Sequence, residues 1–501
     1  MKKLLCLIVA LTIVILPIVS RANGDSATAT TQPDEGGAVD STTTAGDAAT
    51  ESTEATPDLP EKDLGGANFQ FYVMGEERNV NNYSIEIYAE EENADPINDA
   101  VYARNRKLED KYNFTISEFA EKQGSLAGAV NKSLLADEDI HQVFMMNIGD
   151  ATNLANKGFL TDIKKLQYID LSKLWWDQTL NNAFSVANKL YYAAGDMNLM
   201  LNNATWAVFF NKKLIADIGL ELPYTAVKNN TWTLEEYYKM QVAGTRDLDG
   251  DGVMNAETDM WGTVGDNMNT SMLYFSAGGH ITGKDENDIP YLDLYTERSA
   301  SVMEKVLDIM LDNETSINGH KYTSKYNNVW SDLLRKNFRE DRAMFYIAGL
   351  LSYTLLRDME SEFGMVPMPK FDAQQANYYT TVNPGNCNTI SIPNTNKRIE
   401  DTGFILEAMV AESSNTIKPA YYDVALSRKY MRDEESREML DIILSSRTFD
   451  LAIAFDWGGS YGVFDKLTSS SSRNFASECE KIFDRAQTAM QKTVEEFNAN
   501  A

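Results

Sequence analysis

Between Asp247 and Glu257 the chain reads Asp-Leu-Asp-Gly-Asp-Gly-Val-Met-Asn-Ala-Glu. Carboxylates at alternate positions (Asp247, Asp249, Asp251) and a glycine at the sixth place let a tight loop aim several oxygens at one hard cation. Val253 would add a backbone carbonyl at the seventh place and Asn255 an amide oxygen at the ninth. The twelfth position, where a calcium loop usually carries a bidentate glutamate, is Thr258, so closure falls to Glu257 or Asp259. The expected ion is Ca2+, held by Asp247, Asp249, Asp251, Val253, Asn255 and Glu257. Three clustered acids without a cation would repel one another. The expected role is structural, because so many ligands leave little room for a reacting group.

Catalytic patterns fare worse. Gly458-Gly459-Ser460-Tyr461-Gly462 matches the nucleophile-elbow spacing, but that fold needs a histidine after the serine. His141, His280 and His320 all precede it. A glycine-rich turn is the expectation there. The wide separation of the three histidines excludes a zinc H-E-x-x-H site, and no phosphate-binding loop is present. Cys387 and Cys479 read as buried free thiols. With 74 acidic residues, some carboxylate pair will always be close, so glycosidase chemistry stays open.

Aromatic residues are the remaining resource, at 10% of the chain. Trp175-Trp176-Asp177, Trp206, Trp261, Tyr346 and Trp457 fall near expected loops or strand ends. Their flat apolar faces and polar edges complement a sugar ring, with its C–H faces and hydroxyl rim. Adjacent Trp175 and Trp176 diverge in direction, so at most one should face a ligand. The chain carries a net charge of −29, which opposes nucleic-acid binding and disfavours anionic substrates unless a local basic pocket exists.

The elements that would position these residues alternate. Phe69–Val73 reads as a strand, 95–112 as an amphipathic helix, Phe114–Ser117 as a strand, 125–136 as a helix and Gln142–Met146 as a strand. Ala207–Phe210 and Ile390–Ile392 are further strands, and Thr233 with Glu236 forms a helix-capping pair. This α/β alternation predicts mostly parallel sheets. The 501 residues are too many for one core and imply two or more lobes. Ahead of them, Lys2, Lys3 and the apolar run to Val19 read as an export signal ending at Ala22. Residues 23–65, rich in Ser, Thr, Ala and acids, read as a flexible spacer.

Several segments together resemble family 1 extracellular solute-binding proteins of bacterial carbohydrate transporters, in the long variants of clostridia-like bacteria. They are Tyr168 to Gln178, Lys189 to Asp196, Phe209 to Leu214, the Asp247 loop, Glu340 to Phe345 and Phe363 to Pro369, in consistent order. The resemblance implies an α/β, two-lobed periplasmic-binding-protein-like (class II) fold with hinge crossovers and a ligand cleft. It implies lobe 1 from 66–205 plus 367–415 and lobe 2 from 206–366 plus 416–501. It further implies a monomeric, exported, non-enzymatic receptor that binds a sugar or oligosaccharide by lobe closure and serves membrane permease subunits. Relatives carry a lipid-modified cysteine at the cleavage site, a place that Cys6 does not occupy. Trp176, Asp196 and Asn383 are the expected first-lobe contacts; Trp261, Tyr346 and Trp457 are those of the second. A secreted carbohydrate-active enzyme and a receptor feeding a signalling protein are the rivals.

Overall fold

The computed structural model describes residues 54–79, 83–425 and 434–499. The export signal and residues 23–53 of the spacer lie outside them. Strands run in chain order as β1 (Ala67–Met74), β2 (Phe114–Glu121), β3 (Val143–Asn147), β4 (Tyr192–Ala193), β5 (Trp206–Asn211), β6 (Trp261–Gly265), β7 (Thr282–Lys284), β8 (Pro290–Leu292), β9 (Ser316–Asn318), β10 (Ala343–Gly349), β11 (Phe363–Val366) and β12 (Asn388–Ser391). They build one sheet in the order β2-β1-β3-β12-β4, a second in the order β11-β5-β10-β6-β9, and the hairpin β7-β8.

Local sequence explains the alternation. Pro96 opens the Pro96–Tyr112 helix, Asp95 accepts from the Ile97 and Asn98 amides, and Asn113 ends it in the left-handed region. Phe114 then starts β2 at once. The buried rings of Phe69, Phe71 and Tyr72 on β1 and the all-apolar β3 segment Val143–Met146 pull helices onto both faces. The sheets are mixed, not mostly parallel. β1 pairs in parallel with β2 and β3, yet β12 runs antiparallel to β3 and β4. In the second sheet, β5 runs antiparallel to both β10 and β11. The reason is topological: β12 enters the first sheet after an excursion through the second, not through a simple βαβ crossover.

That excursion makes a hinge. Three extended segments cross between the lobes side by side. Trp206 donates its amide to Thr381 O (3.1 Å) and Asn383 donates to Ala204 O (2.9 Å). Thr380 donates to Ser446 O (3.0 Å), and Thr448 donates to Thr380 O (2.7 Å). The first of these segments is 204–206. Segments 380–383 and 446–448 are the two that pair beside it. Residues 367–379 stay with the second lobe because Lys370 pairs with both Trp232 and Leu234, and the Pro369 carbonyl accepts from Ser276 Oγ. The Ile417–Ala425 helix stays with the first lobe, buried through Ile417 and Tyr421 against the Pro96–Tyr112 and Ile399–Asn415 helices. The Glu434–Ser445 helix packs on β11. The last helix, Phe475–Ala499, touches both lobes: the Phe497 carbonyl accepts from Lys189 Nζ, and the helix packs on β8.

The spacer boundary also moves. Residues 54–65 have no regular structure but lie against the first lobe: the Ala55 backbone and the Asn415 side chain exchange two hydrogen bonds (2.9 and 3.0 Å). Lys62 pairs with Asp401 (2.5 Å), and Leu59 and Leu64 pack on the core. The few apolar residues there suffice to dock it. Cys387 and Cys479 are buried free thiols. Among the described residues no helix is long and apolar enough to cross a membrane.

Candidate ligand-binding cleft

Over the hinge, a cleft of about 480 Å³ lies between the lobes. In open α/β sheets ligands bind beyond the carboxyl ends of strands, and both walls of this cleft are such ends. Asn79 lies past the end of β1, Asp266 directly follows β6, and Gly349 closes β10. Gly349 is required by close approach: a Cβ there would sit 2.9 Å from Asn203 O on the hinge.

The second-lobe wall is aromatic and charged. Trp330 begins a π-helical turn, Trp330–Arg335, a geometry that widens a helix and often marks functional sites. Its ring is 47% exposed, and its Nε1 donates to Asp266 Oδ2 (2.7 Å). Asp266 Oδ1 accepts the Met268 amide (2.9 Å), so both carboxylate oxygens are engaged and the indole is fixed in place. Tyr346 projects from β10, with burial pushing its phenol above the ordinary range. At the hinge floor, Trp206 is 6% exposed, and among the described residues its Nε1 has no hydrogen-bond partner. Arg335 lines the same cleft.

Of the six expected ligand contacts, Asn383 and Tyr346 meet in this cleft. Asn383 Oδ1 accepts the Gly385 amide (3.0 Å), which holds the turn after the second crossing. Asp196 and Trp176 border a separate cavity of about 770 Å³ that shares no lining residue with the cleft. There Asp196 pairs with Lys418 (3.1 Å), and Asp177 with Arg447 (2.9 Å).

The expectation fails for the three tryptophan rings. Trp176 is 2% exposed because Glu407, from the Ile399–Asn415 helix, accepts both neighbouring indoles: Trp175 Nε1 at 2.9 Å and Trp176 Nε1 at 2.8 Å. Desolvation raises the Glu407 carboxyl above its ordinary range, opposed by these two donors. Trp261 is buried at the start of β6 and donates to Asn255 O (3.2 Å). Trp457 is buried, stacked on Phe455 at 4.6 Å, and donates to Thr493 Oγ1 (2.9 Å). Each indole N–H is satisfied inside the protein, as buried tryptophans generally are. Gly458 and Gly459 form a positive-φ turn under Ser460, with no strand before it, which matches the expected turn.

Sequence reasoning missed Trp330, Asp266 and Arg335 as residues of the cleft. A tryptophan amid Asn327, Asn328 and Ser331 was a usable signal, since a core tryptophan seldom has so polar a neighbourhood.

The acidic loop lies at the opposite end of β6 from Asp266. Asp247, Asp249 and Asp259 each bring a carboxylate oxygen within 4.8 Å of the other two. Asp259, fully buried and one of the two residues expected to close the loop, stands as the third acid in place of Asp251; Glu257 is exposed and accepts from Tyr326 Oη. Asp259 also accepts the Leu248 amide (2.9 Å) and the Asn255 amide (2.6 Å), tying the loop to the root of β6. Asp251 and Asn255 turn back onto local backbone, accepting the Val253 and Glu257 amides. The Asp251 amide holds Asp249 down, but desolvation and the charges of Asp251, Asp259 and Asp247 outweigh it, and its carboxyl rises.

No family model and no curated protein matches the chain. Solved structures do. UspC of M. tuberculosis aligns at a TM-score of 0.55 with 14% identity, over 84% of this chain and all of UspC. The ABC substrate-binding protein Lmo0181 of Listeria monocytogenes, solved with cycloalternan, aligns at 0.51 with 13% identity, over 87% and 98%. A sugar transporter protein of Rhizobium etli, in an open conformation, aligns at 0.53 with 12% identity, over 87% and 100%. At these identities the agreement concerns fold. This chain has the two-lobed α/β fold of solute-binding proteins, with its cleft over a three-segment hinge.

Proposed function

We propose that this protein is an exported receptor of family 1 solute-binding type, which captures a sugar or oligosaccharide by lobe closure and presents it to the permease subunits of an ABC transporter. The observation that carries the reading is the cleft itself. It spans a three-segment hinge and sets Trp330, Trp206 and Tyr346 among Asp266, Arg335 and Asn383. Aromatic faces supply stacking area and the polar groups fix hydroxyls, which is what a saccharide requires. The pairs at Trp206–Thr381, Ala204–Asn383 and Thr380–Ser446 form a short ribbon on which the lobes rotate. A ligand touching both walls favours the closed state by its differential affinity. Binding in this reading involves no bond making or breaking.

We further propose Ca2+ at Asp247, Asp249 and Asp259. The donor set is all hard oxygen and anionic, which suits calcium and not zinc. When bound, the ion neutralises the mutual repulsion of the three acids and braces the root of β6, leaving the cleft at its other end to the ligand.

One experiment tests both readings. Thermal unfolding is followed with a panel of mono- and oligosaccharides, in calcium and in EGTA. A ligand at one hundred times its Kd should stabilise by about 2.7 kcal/mol, and saturating calcium by a comparable amount. The calcium increment should vanish in Asp247→Asn. A panel without any shift removes the saccharide reading. Turnover of an oligosaccharide in the same samples would establish the enzyme rival.

A further inference from the structure

The cleft holds a surplus of unpaired donors. Trp206 lines its floor, and its buried Nε1 has no partner among the described residues. A buried unpaired donor costs about 1–3 kcal/mol, a cost that a ligand acceptor at the hinge would relieve. Arg335 lines the same cleft, and among the described residues its guanidinium has no ion pair or hydrogen bond. Asp332, one turn earlier in the same helix, feels the Arg335 charge but turns to the Ser331 hydroxyl and the Asn328 amide.

Several acceptors in the cleft already hold a donor. Both Asp266 oxygens are taken by Met268 and Trp330, and Asn383 Oδ1 by Gly385. A neutral sugar hydroxyl that accepts a hydrogen bond must also place its own proton, whereas a carboxylate only accepts. The planar fork of arginine matches a carboxylate in two parallel bonds. The net charge of −29 opposes an anion at long range, but beyond about 8 Å that field is screened at physiological salt. Arg335 acts inside that distance.

Building on the receptor reading, we propose that the ligand is an acidic saccharide, a uronate whose carboxylate is held by Arg335 and whose ring oxygens meet the Trp206 indole N–H.

Calorimetry on the full chain with matched pairs tests this: digalacturonate against galactobiose, cellobiouronate against cellobiose, and a sulfated disaccharide against its unsulfated parent. The uronate should bind at least tenfold tighter than its neutral partner. Arg335→Gln should bring that ratio towards one, and Arg335→Lys should recover part of it. Trp206→Phe, which keeps the ring and removes the donor, should lose about tenfold. Neutral members binding as well as or better than uronates would overturn the acidic assignment and leave the receptor reading standing. A sulfated ligand preferred over every uronate would also overturn it. Binding by no member of any pair would remove both.

Discussion

Truncating Glu407 to alanine should lower the stability of the first lobe by about 4 kcal/mol. The carboxylate accepts the indoles of Trp175 and Trp176 and, at 3.3 Å, the amide of Asp170. Both indoles are buried, and an unpaired buried donor costs about 1–3 kcal/mol each, in addition to the cavity left by the side chain. Glutamine should restore little: its one carbonyl oxygen can serve one indole, while its amide hydrogens confront the other. Urea titration followed by tryptophan fluorescence reads the loss directly. A shift under 1 kcal/mol for the alanine variant would mean that the two indoles find other acceptors.

Replacing Trp330 by alanine should weaken saccharide binding about 30-fold, equivalent to about 2 kcal/mol for a central aromatic anchor, with little change in melting temperature because the ring is half exposed. Phenylalanine keeps the stacking face but releases Asp266 Oδ2, so it should recover most of the affinity. Calorimetry with the best saccharide of the thermal panel compares the three proteins. Equal affinity in wild type and W330A would place the ligand elsewhere.

Much of the fold was legible in the chain. Phe69–Val73, Phe114–Ser117, Gln142–Met146 and Ala207–Phe210 each fall within or overlap a strand, and Thr233 caps its helix through the Glu236 amide as its spacing implies. The pairing of the hinge segments was not legible. It joins Thr380, Ser446 and Thr448, far apart in sequence and without a hydrophobic period of their own. The cleft was read in part. Tyr346 and Asn383 reach it, but a sequence does not tell which of seven tryptophans finds an internal acceptor. Glu407, Asn255 and Thr493 satisfy Trp176, Trp261 and Trp457 and draw them into the core, whereas Trp330 finds Asp266 at the cleft rim. In the acidic loop, the spacing located Asp247 and Asp249; Asp259 joins them because the Leu248 and Asn255 amides turn it inward.

The central claim is that the two lobes rotate on the 204–206, 380–383 and 446–448 ribbon and close over a bound saccharide. Small-angle scattering of the protein with and without a saturating ligand from the thermal panel tests it most directly. A fall in radius of gyration on binding, absent with non-binding sugars, is the expected result. An unchanged scattering curve, with calorimetry showing the same sample fully bound, would contradict it.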